Sequence, residues 1–282
     1  MKTYEVKRPA ALDLESWDES FHDLMLNDSV RMNAYKKAIQ EQVKQGDVVV
    51  DLGTGTGILA QWALEAGASK VYGIEFNENT LEIAKDNLVL FGDRFIPVLG
   101  NSLNINLPER VDIIISETIG NFADNENCVL FLKDAKKRFL KKDGIMIPQS
   151  ISQMLVPVYS PKIEDNISAM EQLDYYEAVI PKEDHVASPI RTNLFMFDQD
   201  EDIEYTKNES FSLYPETNKI TGFKGWFVAQ LSGSVNISTE TVAEDSSWNN
   251  FYFPSAINVT EKDLTISLKR HNGDYEITYK TL

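Results

Sequence analysis

Three glycines and two carboxylates lie close together early in the chain. Gly53, Gly55 and Gly57 follow a β-branched apolar run that leads into Asp51, and Glu75 closes the next apolar run. Closely spaced glycines let the backbone turn sharply and approach a ligand. An acidic residue at the end of the second strand is placed to accept hydrogen bonds from ribose hydroxyls. The spacing therefore predicts a site for a ligand that contains a nucleoside.

The charge beside the turn separates two kinds of ligand. The dinucleotide fingerprint can be fitted to Gly55, Gly57 and Ala60, which leaves NAD or FAD as an alternative. A carboxylate at Asp51, however, repels the pyrophosphate that such a turn would hold. S-adenosylmethionine carries a ribose, an ammonium and a sulfonium but no phosphate. We therefore predict this cofactor, with Asp51 contacting it directly or through water.

A second pair of carboxylates follows a later apolar strand. Glu117 and Glu126 stand nine positions apart in the stretch after residues 111–116. Ligands of open α/β sheets bind at the carboxyl ends of the strands. Two carboxylates there suit a planar guanidinium, which offers five N–H donors in a fork. By themselves, two glutamates in a loop lie more often on a solvated surface than in a binding site.

Apolar periodicity predicts the elements that must position these residues. Strands and helices alternate up to residue 149, which implies a parallel sheet with helices on both faces. From residue 150 onward alternating strands dominate, and they include a hairpin at Asn272-Gly273. The predicted helices cover 17–45, 58–66, 78–90, 127–140 and 162–176. The predicted strands cover 48–50, 71–74, 95–99, 111–116, 144–148 after a Lys-Lys-Asp-Gly turn, 223–228, 232–237, 251–253 and 264–268.

These changes of pattern divide the chain into three predicted parts. Residues 1–45 form a helical cap over the cofactor, and residues 46–149 form the cofactor-binding α/β domain. Residues 150–282 form a substrate domain of β-strands that close on themselves, with a short helical insertion near 162–176. The predicted fold class is α/β, a Rossmann-like sheet followed by a β-barrel-like domain.

Composition limits the partners. The formal charge of −17 argues against binding a nucleic acid backbone, which needs clustered Lys and Arg, and favours cationic substrates. No stretch is apolar enough for a membrane span or a secretory signal, so we expect no membrane association. One cysteine cannot form an internal disulfide, and three scattered histidines make a metal site improbable. We expect a cytoplasmic protein without a bound metal.

From about residue 22 to its end, the chain resembles the protein arginine methyltransferases. Four motifs carry the resemblance, in the family's order: a helix before the cofactor motif, the cofactor motif itself, the double-glutamate loop and the Thr-His-Trp loop. Here they read His22-x-x-Met25-Leu26-x-Asp28-x-x-Arg31-x-x-x-Tyr35, DLGTGTGILA from Asp51 with Glu75, Glu117 with Glu126, and SSWNNFYFP from Ser246. The resemblance implies a class I methyltransferase sheet followed by a β-barrel, and a possible homodimer.

The resemblance also implies roles for single residues at the donor end. Arg31 would bind the methionine carboxylate of S-adenosylmethionine, with His22 on the same helix, and the cofactor motif adds Leu59 to the contacts. Leu103 stands where the family has a glutamate, so the adenine amine would be held by Asn101 or Ser102.

At the acceptor end, Glu117 and Glu126 would hold a guanidinium, and one of them would take the released proton. Trp248 would wall the pocket, and Met25 would lie beside the reacting groups. Ser247 replaces the family's histidine, which removes the partner that Asp28 has there, and Cys128 replaces a methionine. The expected activity is methyl transfer to an arginine guanidino nitrogen, in a basic protein or peptide or in free arginine. A methyltransferase for another small molecule and an inactive binding protein with this fold are the alternatives.

Overall fold

A parallel sheet organises the chain up to residue 147. The computed structural model describes residues 3–8, 27–198 and 200–281. Strands β2 to β6 form a five-stranded parallel sheet in the order β4-β3-β2-β5-β6, so the strand order reverses at β2. Ligand sites of such sheets lie at this reversal. The elements are β1 (Val6–Lys7), α1 (Ser29–Gln42), β2 (Val48–Leu52), α2 (Ile58–Ala66), β3 (Lys70–Glu75), α3 (Glu78–Asn87), β4 (Phe95–Leu99), β5 (Val111–Ser116), α4 (Cys128–Phe139) and β6 (Leu140–Ile147).

The strands of this sheet are apolar because helices cover both of its faces. Ile113, Ile114 and Ile115 of β5 are at most 1% exposed, and they share one core with residues of the surrounding helices. The predicted strands over 48–50, 71–74, 95–99 and 111–116 and the predicted helix over 127–140 are confirmed. The helix predicted over 78–90 ends at Asn87, and a 3-10 turn follows over Val89–Arg94.

Helix α1 begins at Ser29 because Asp28 caps it. Asp28 has extended backbone angles, and its Oδ1 accepts a hydrogen bond from the backbone N–H of Arg31 at 3.0 Å. The helix predicted over 17–45 is therefore confirmed only from Ser29 to Gln42. Residues 9–26 lie outside the described part of the chain.

Two antiparallel sheets form the second half of the described chain. The larger has seven strands, in the order β1-β8-β13-β11-β7-β9 with β12 on β11, and the smaller has the order β10-β14-β15. The elements are β7 (Ser150–Val158), α5 (Pro161–Ile167), β8 (Tyr176–Ala178), β9 (Ile190–Phe195), β10 (Tyr205–Ser212), β11 (Lys219–Gln230), β12 (Asn236–Ser238), β13 (Asn250–Asn258), β14 (Asp263–His271) and β15 (Asp274–Thr281).

The two antiparallel sheets enclose a common core, which gives this half its barrel-like form. Phe223 and Phe253 of the large sheet pack in one cluster with Leu264 and Ile266 of the small sheet. The Asn272-Gly273 hairpin is confirmed: both residues have positive φ, as a two-residue turn requires. The predicted fold class, a Rossmann-like sheet followed by barrel-like antiparallel strands, is confirmed.

Three local predictions were wrong. The helix predicted over 162–176 ends at Ile167, because Tyr176 enters strand β8 and its hydroxyl bonds back to Glu171 and Leu173. Most of the strand predicted over 232–237 is a turn that Ser232 closes by donating its N–H to Val235. The predicted turn at 141–144 belongs to β6.

Candidate active site

The glycine turn after β2 closes over a buried carboxylate. Oδ2 of Asp51 accepts hydrogen bonds from the Thr54 hydroxyl at 2.7 Å and from the backbone N–H of Ala60 at 3.0 Å. Asp51 is fully buried, and this burial raises its pKa to about 7. Gly57 has φ +90°, and a Cβ there would lie 2.8 Å from a methyl carbon of Leu88. Asp51 therefore shapes the turn from behind instead of lining the cavity in front of it.

Glu75 lies at the end of β3 and faces the turn. Its Oε2 accepts the backbone N–H of Gly55 at 3.0 Å, and its Oε1 accepts those of Phe76 and Asn77 at 2.9 and 3.0 Å. These bonds fix the carboxylate at the edge of the cavity, where a ribose diol could share it. The sequence prediction located this residue correctly on the second strand.

A cavity of about 280 Å³ opens at the carboxyl ends of the parallel strands. It brings together Gly53, Gly55, Leu59, Glu75, Asn101, Ser102, Glu117 and Glu126, all predicted as site residues. The charged side chains among its described lining residues are three glutamates. Such a wall favours a ligand that carries positive charge and no phosphate.

Glu117 and Glu126 line the same cavity as Glu75. Burial, together with the charges of Glu117 and Glu177, raises the pKa of Glu126 to about 8. Burial also raises the pKa of Glu117, although the charge of Arg31 opposes this shift. The charge of Glu117 thus disfavours the ionisation of Glu126, and a bound cation would favour it.

The loop that carries both glutamates is tied to the antiparallel half. Phe122 is fully buried in the core between the antiparallel sheets, and its ring lies 5.1 Å from that of Tyr275 and 5.5 Å from that of Phe251. Gly225 makes room for it, since a Cβ there would lie 2.5 Å from the Phe122 ring. Sequence reasoning missed this anchor, although a lone aromatic residue in a loop of small and polar residues was a usable signal.

Two hydrogen bonds from the loop after β12 complete the anchoring. The indole N–H of Trp248 donates to the Ile119 carbonyl at 2.8 Å, and the backbone N–H of Asn249 donates to Oδ1 of Asn121, also at 2.8 Å. Trp248 is 5% exposed and supports the glutamate loop from behind. It lies outside the cavity lining, so its predicted role as a pocket wall remains a prediction.

Arg31 connects helix α1 to the glutamate loop. Its Nη1 donates to Oε2 of Glu117 at 2.6 Å, its Nη2 donates to the Ser247 hydroxyl at 2.6 Å, and its guanidinium lies 3.6 Å from the ring centre of Trp248. Asp28 has a partner after all, because the Ser246 hydroxyl donates to its Oδ2 at 2.8 Å. Asp28 is therefore paired with a serine hydroxyl, where the family resemblance implies a histidine.

The other predicted site residues fall into two groups. Arg31 and Gly57 are not among the lining residues, but the residues that follow them in sequence, Met32 and Ile58, line the cavity. His22 and Met25 lie outside the described residues. Met32, Thr80 and Phe131 line the cavity and were not predicted, because nothing in their local sequence distinguishes them from other partly buried helix residues. Among the described residues, no cluster of His, Cys, Asp and Glu could hold a metal ion.

Sequence comparison finds relatives along most of the chain. A family model described as ribosomal protein L11 methyltransferase (PrmA) matches residues 36–156. Protein arginine N-methyltransferase 1 of Chlamydomonas reinhardtii is 31% identical over 281 residues, which cover 88% of this chain and 79% of that protein. Protein arginine N-methyltransferase PRMT10 of Oryza sativa subsp. japonica is 40% identical over 152 residues, 52% of this chain. That match spans 40% of the length of the rice protein.

Solved structures give the same result for the fold. The crystal structure of Arabidopsis thaliana protein arginine methyltransferase 10 superposes with a TM-score of 0.80 at 25% identity, over 93% of this chain and 92% of that one. A crystal structure of PRMT6 has a TM-score of 0.80 at 18% identity and shows the shared fold. With a relative above 30% identity that is matched over most of its length, and with the site motifs in order, the chain belongs to the protein arginine N-methyltransferase family.

Proposed function

We propose that this protein transfers a methyl group from S-adenosylmethionine to a guanidino nitrogen of arginine, in a basic protein or peptide or in free arginine. One observation carries the proposal: Glu117 and Glu126 share a single cavity with Glu75 and the glycine turn. A nucleoside-bearing donor and a guanidinium acceptor could therefore meet inside one enclosed space. The names of the relatives agree with this chemistry.

The charges of the cavity support a sulfonium donor over a dinucleotide. The described lining has carboxylates and no cation, so it offers no counter-charge to a pyrophosphate. In this proposal Glu75 accepts the ribose hydroxyls, and Asn101 or Ser102 holds the adenine. Leu59 packs against the donor, and Arg31 binds its carboxylate. S-adenosylmethionine supplies the electrophilic methyl group when bound.

At the amino-acid end of the donor, the backbone of Gly53 and Gly55 faces the ligand. Asp51 acts through the turn, because both bonds of its Oδ2 go to residues of the turn and of helix α2. The buried Oδ1 has no hydrogen-bond partner among the described residues. A water or the donor's ammonium is the kind of partner that it lacks.

The two glutamates would perform the acceptor chemistry. A guanidinium has no nucleophilic lone pair at neutral pH, since its pKa is above about 12. Glu117 and Glu126 would accept its N–H bonds, localise its charge on the nitrogens they hold and align the remaining nitrogen with the methyl group. Transfer releases one proton. Glu126, with a pKa raised to about 8, is the better acceptor for it near neutral pH.

We further propose a division of labour along the chain. Residues 46–149 would bind the donor, and residues 150–282 would form the substrate side. Residues 1–45 would cover the cofactor, apart from strand β1, which pairs with β8 in the antiparallel half. No described helix is long and apolar enough to cross a membrane. We propose a cytoplasmic location, in line with a single, buried cysteine, and a homodimer, in line with the family resemblance.

A labelling experiment tests the proposed function. Purified protein is incubated with methyl-labelled S-adenosylmethionine and, separately, an arginine-rich peptide, the same peptide with lysine in place of arginine, and free arginine. We expect label on arginine in at least one of the two arginine samples and none on the lysine peptide. Label on a non-guanidino amine would favour the small-molecule alternative. Cofactor binding without S-adenosylhomocysteine production from any guanidino substrate would overturn the proposal in favour of an inactive binding protein.

A further inference from the structure

A buried cation from the penultimate strand reaches the glutamate loop. Arg270, near the end of β14, is 2% exposed. Its Nη2 donates to Oδ1 of Asn127 at 2.7 Å and to the Asp124 carbonyl at 3.2 Å, and it lies 3.1 Å from the Asp124 carboxylate. Its Nη1 donates to the Ile203 carbonyl. This guanidinium therefore joins the small antiparallel sheet to two residues of the loop.

The two loop residues that Arg270 binds stand on either side of Glu126. Asp124 precedes it by two positions, and Asn127 follows it directly. Asp124 also accepts the backbone N–H of Val129 through its Oδ1 at 2.8 Å, and its carbonyl accepts that of Asn127 at 3.1 Å. The backbone of Glu126 is thus held from both sides by groups that converge on one side chain.

The backbone in this loop needs such a restraint. Ala123 and Asn127 have φ values of +63° and +60°, in the left-handed region that L residues rarely occupy. A residue of this kind costs about 1–2 kcal/mol and persists only where its surroundings enforce it. A buried charge with several acceptors is a strong restraint, because breaking one partner leaves the charge unpaired.

We infer that Arg270 is a positioning residue for Glu126: it holds Asp124 and Asn127 so that the Glu126 carboxylate faces Glu117 across the cavity. The inference rests on the proposed function, in which these two carboxylates grip the acceptor. It adds a residue more than 140 positions away in sequence, on the opposite half of the molecule, whose own side chain lies outside the described cavity lining.

Asn127 allows a test that separates positioning from folding. The side chain of Asn127 makes no capping bond to helix α4, and glycine adopts positive φ freely. Asn127→Gly therefore removes one acceptor of Arg270, the Asn127 Oδ1, and keeps the turn. Asn127→Asp keeps an acceptor. Arg270→Lys keeps the charge and loses the fork. Lys262→Ala, which removes a lysine that donates to the Thr217 carbonyl at 2.5 Å, is the matched control outside the loop.

Two readouts are measured on each folded variant. One is hydrogen exchange of residues 123–130 without ligands, and the other is steady-state methylation of an arginine substrate that the labelling experiment identifies. We expect Asn127→Gly and Arg270→Lys to speed exchange in this segment and to lower kcat at least about tenfold, while donor affinity stays within about twofold. Asn127→Asp and Lys262→Ala should resemble the parent in both readouts.

Unchanged hydrogen exchange in both Asn127→Gly and Arg270→Lys would overturn the inference. Faster exchange with kcat within twofold of the parent would also overturn it. If the parent methylates no guanidino substrate, the exchange experiment still decides whether Arg270 holds the loop. Faster exchange in that case supports the clamp, while the proposed function alone fails.

Discussion

At the glycine-turn end of the cavity, the hydrogen bonds that shape the wall join residues 3, 9 and 20 positions apart. At the glutamate end, the bonds that hold the loop join residues 128, 129 and 143 positions apart. Both ends lie on the same edge of the parallel sheet. The first is a local strand-turn-helix unit, whereas the second is held by contacts with the antiparallel half.

This difference indicates which substitutions should affect donor binding and acceptor chemistry separately. Substitutions in the antiparallel half should disturb the acceptor end and leave donor binding intact. Substitutions in the glycine turn should weaken donor binding and leave the glutamate loop in place. Long-range contacts are also the ones that loop-closure entropy opposes, so the acceptor end should be the more easily loosened.

The largest separation is expected from Glu117→Gln. The amide keeps the shape of the side chain but removes the charge that would polarise a guanidinium, so we expect kcat to fall by about 10²–10³. Donor affinity, measured by calorimetry, should stay within a few-fold of the parent. Glu65→Gln on the exposed face of α2 is the matched control. Turnover of Glu117→Gln within threefold of the parent would show that methyl transfer does not need the carboxylate pair.

The pH dependence of kcat/KM should report Glu126. In the free protein its pKa is about 8, so below that pH a cationic acceptor must displace a proton to bind. We expect kcat/KM for an arginine peptide to rise about tenfold per pH unit up to about pH 8 and then to level off. Donor affinity, measured across the same range, should not follow this profile.

The thermal stability of Glu126→Gln at different pH values gives an independent test of the raised pKa of Glu126. A carboxyl whose folded pKa lies above its unfolded pKa favours folding when protonated, and this contribution is lost as pH rises from about 4.5 to about 8. The variant should therefore unfold at a higher temperature than the parent at pH 8, by an amount equivalent to about 1–3 kcal/mol, and at the same temperature at pH 4. An equal difference at both pH values would contradict the raised pKa.

A smaller effect, confined to the acceptor end, is expected from Phe122→Leu. The shorter side chain leaves space in the core between the antiparallel sheets, which should cost about 1–2 kcal/mol and let the glutamate loop shift. We expect kcat to fall about tenfold with donor affinity unchanged. Phe211→Leu removes a ring from the same core away from the loop, so it should cost similar stability with little change in kcat. Equal kcat losses in the two variants would point to a general effect of destabilisation.

The smallest effect is expected at the donor end, at Gly57, and Gly46, which precedes β2 and lies outside the described cavity lining, is a comparison with nearly the same φ. Gly46 and Gly57 have φ of +95° and +90°, but only a Cβ at Gly57 would meet other atoms, 2.8 Å from a methyl carbon of Leu88. Gly46→Ala should therefore cost about 1 kcal/mol from backbone strain alone. Gly57→Ala should cost roughly 1 kcal/mol more and weaken donor binding. Equal melting temperatures for the two variants would show that the contact at Gly57 has no energetic weight.

The same contrast between local and long-range contacts explains which parts of the fold and the site could be predicted from the sequence. The parallel sheet, the turn at Gly53–Gly57 and the position of Glu75 follow from apolar periodicity and glycine spacing, which are local properties. Glu117 and Glu126 could be located on a loop at the sheet edge. That Phe122 is buried could have been predicted from its position among small and polar loop residues. The partners of Phe122 and Arg270 could not be predicted, because neither residue type signals a partner more than 100 positions away.

Substitutions in a motif were also hard to interpret without the fold. Ser247 suggested that Asp28 had lost its partner, yet the neighbouring Ser246 hydroxyl takes that place and Ser247 binds Arg31. Which of two adjacent serines faces a carboxylate depends on the path of the loop. The prediction of a helix over 162–176 was wrong for a related reason. Tyr176 joins strand β8 and buries its ring there, and the spacing of apolar residues in the sequence does not show this contact.

The most direct test of the central claim is a crystal structure of the protein with S-adenosylhomocysteine and an arginine peptide. We expect the guanidinium to lie between Glu117 and Glu126, within hydrogen-bond distance of both carboxylates, with its free nitrogen pointing at the sulfur of the nucleoside. A guanidinium bound elsewhere, with the two glutamate side chains turned toward solvent, would contradict it.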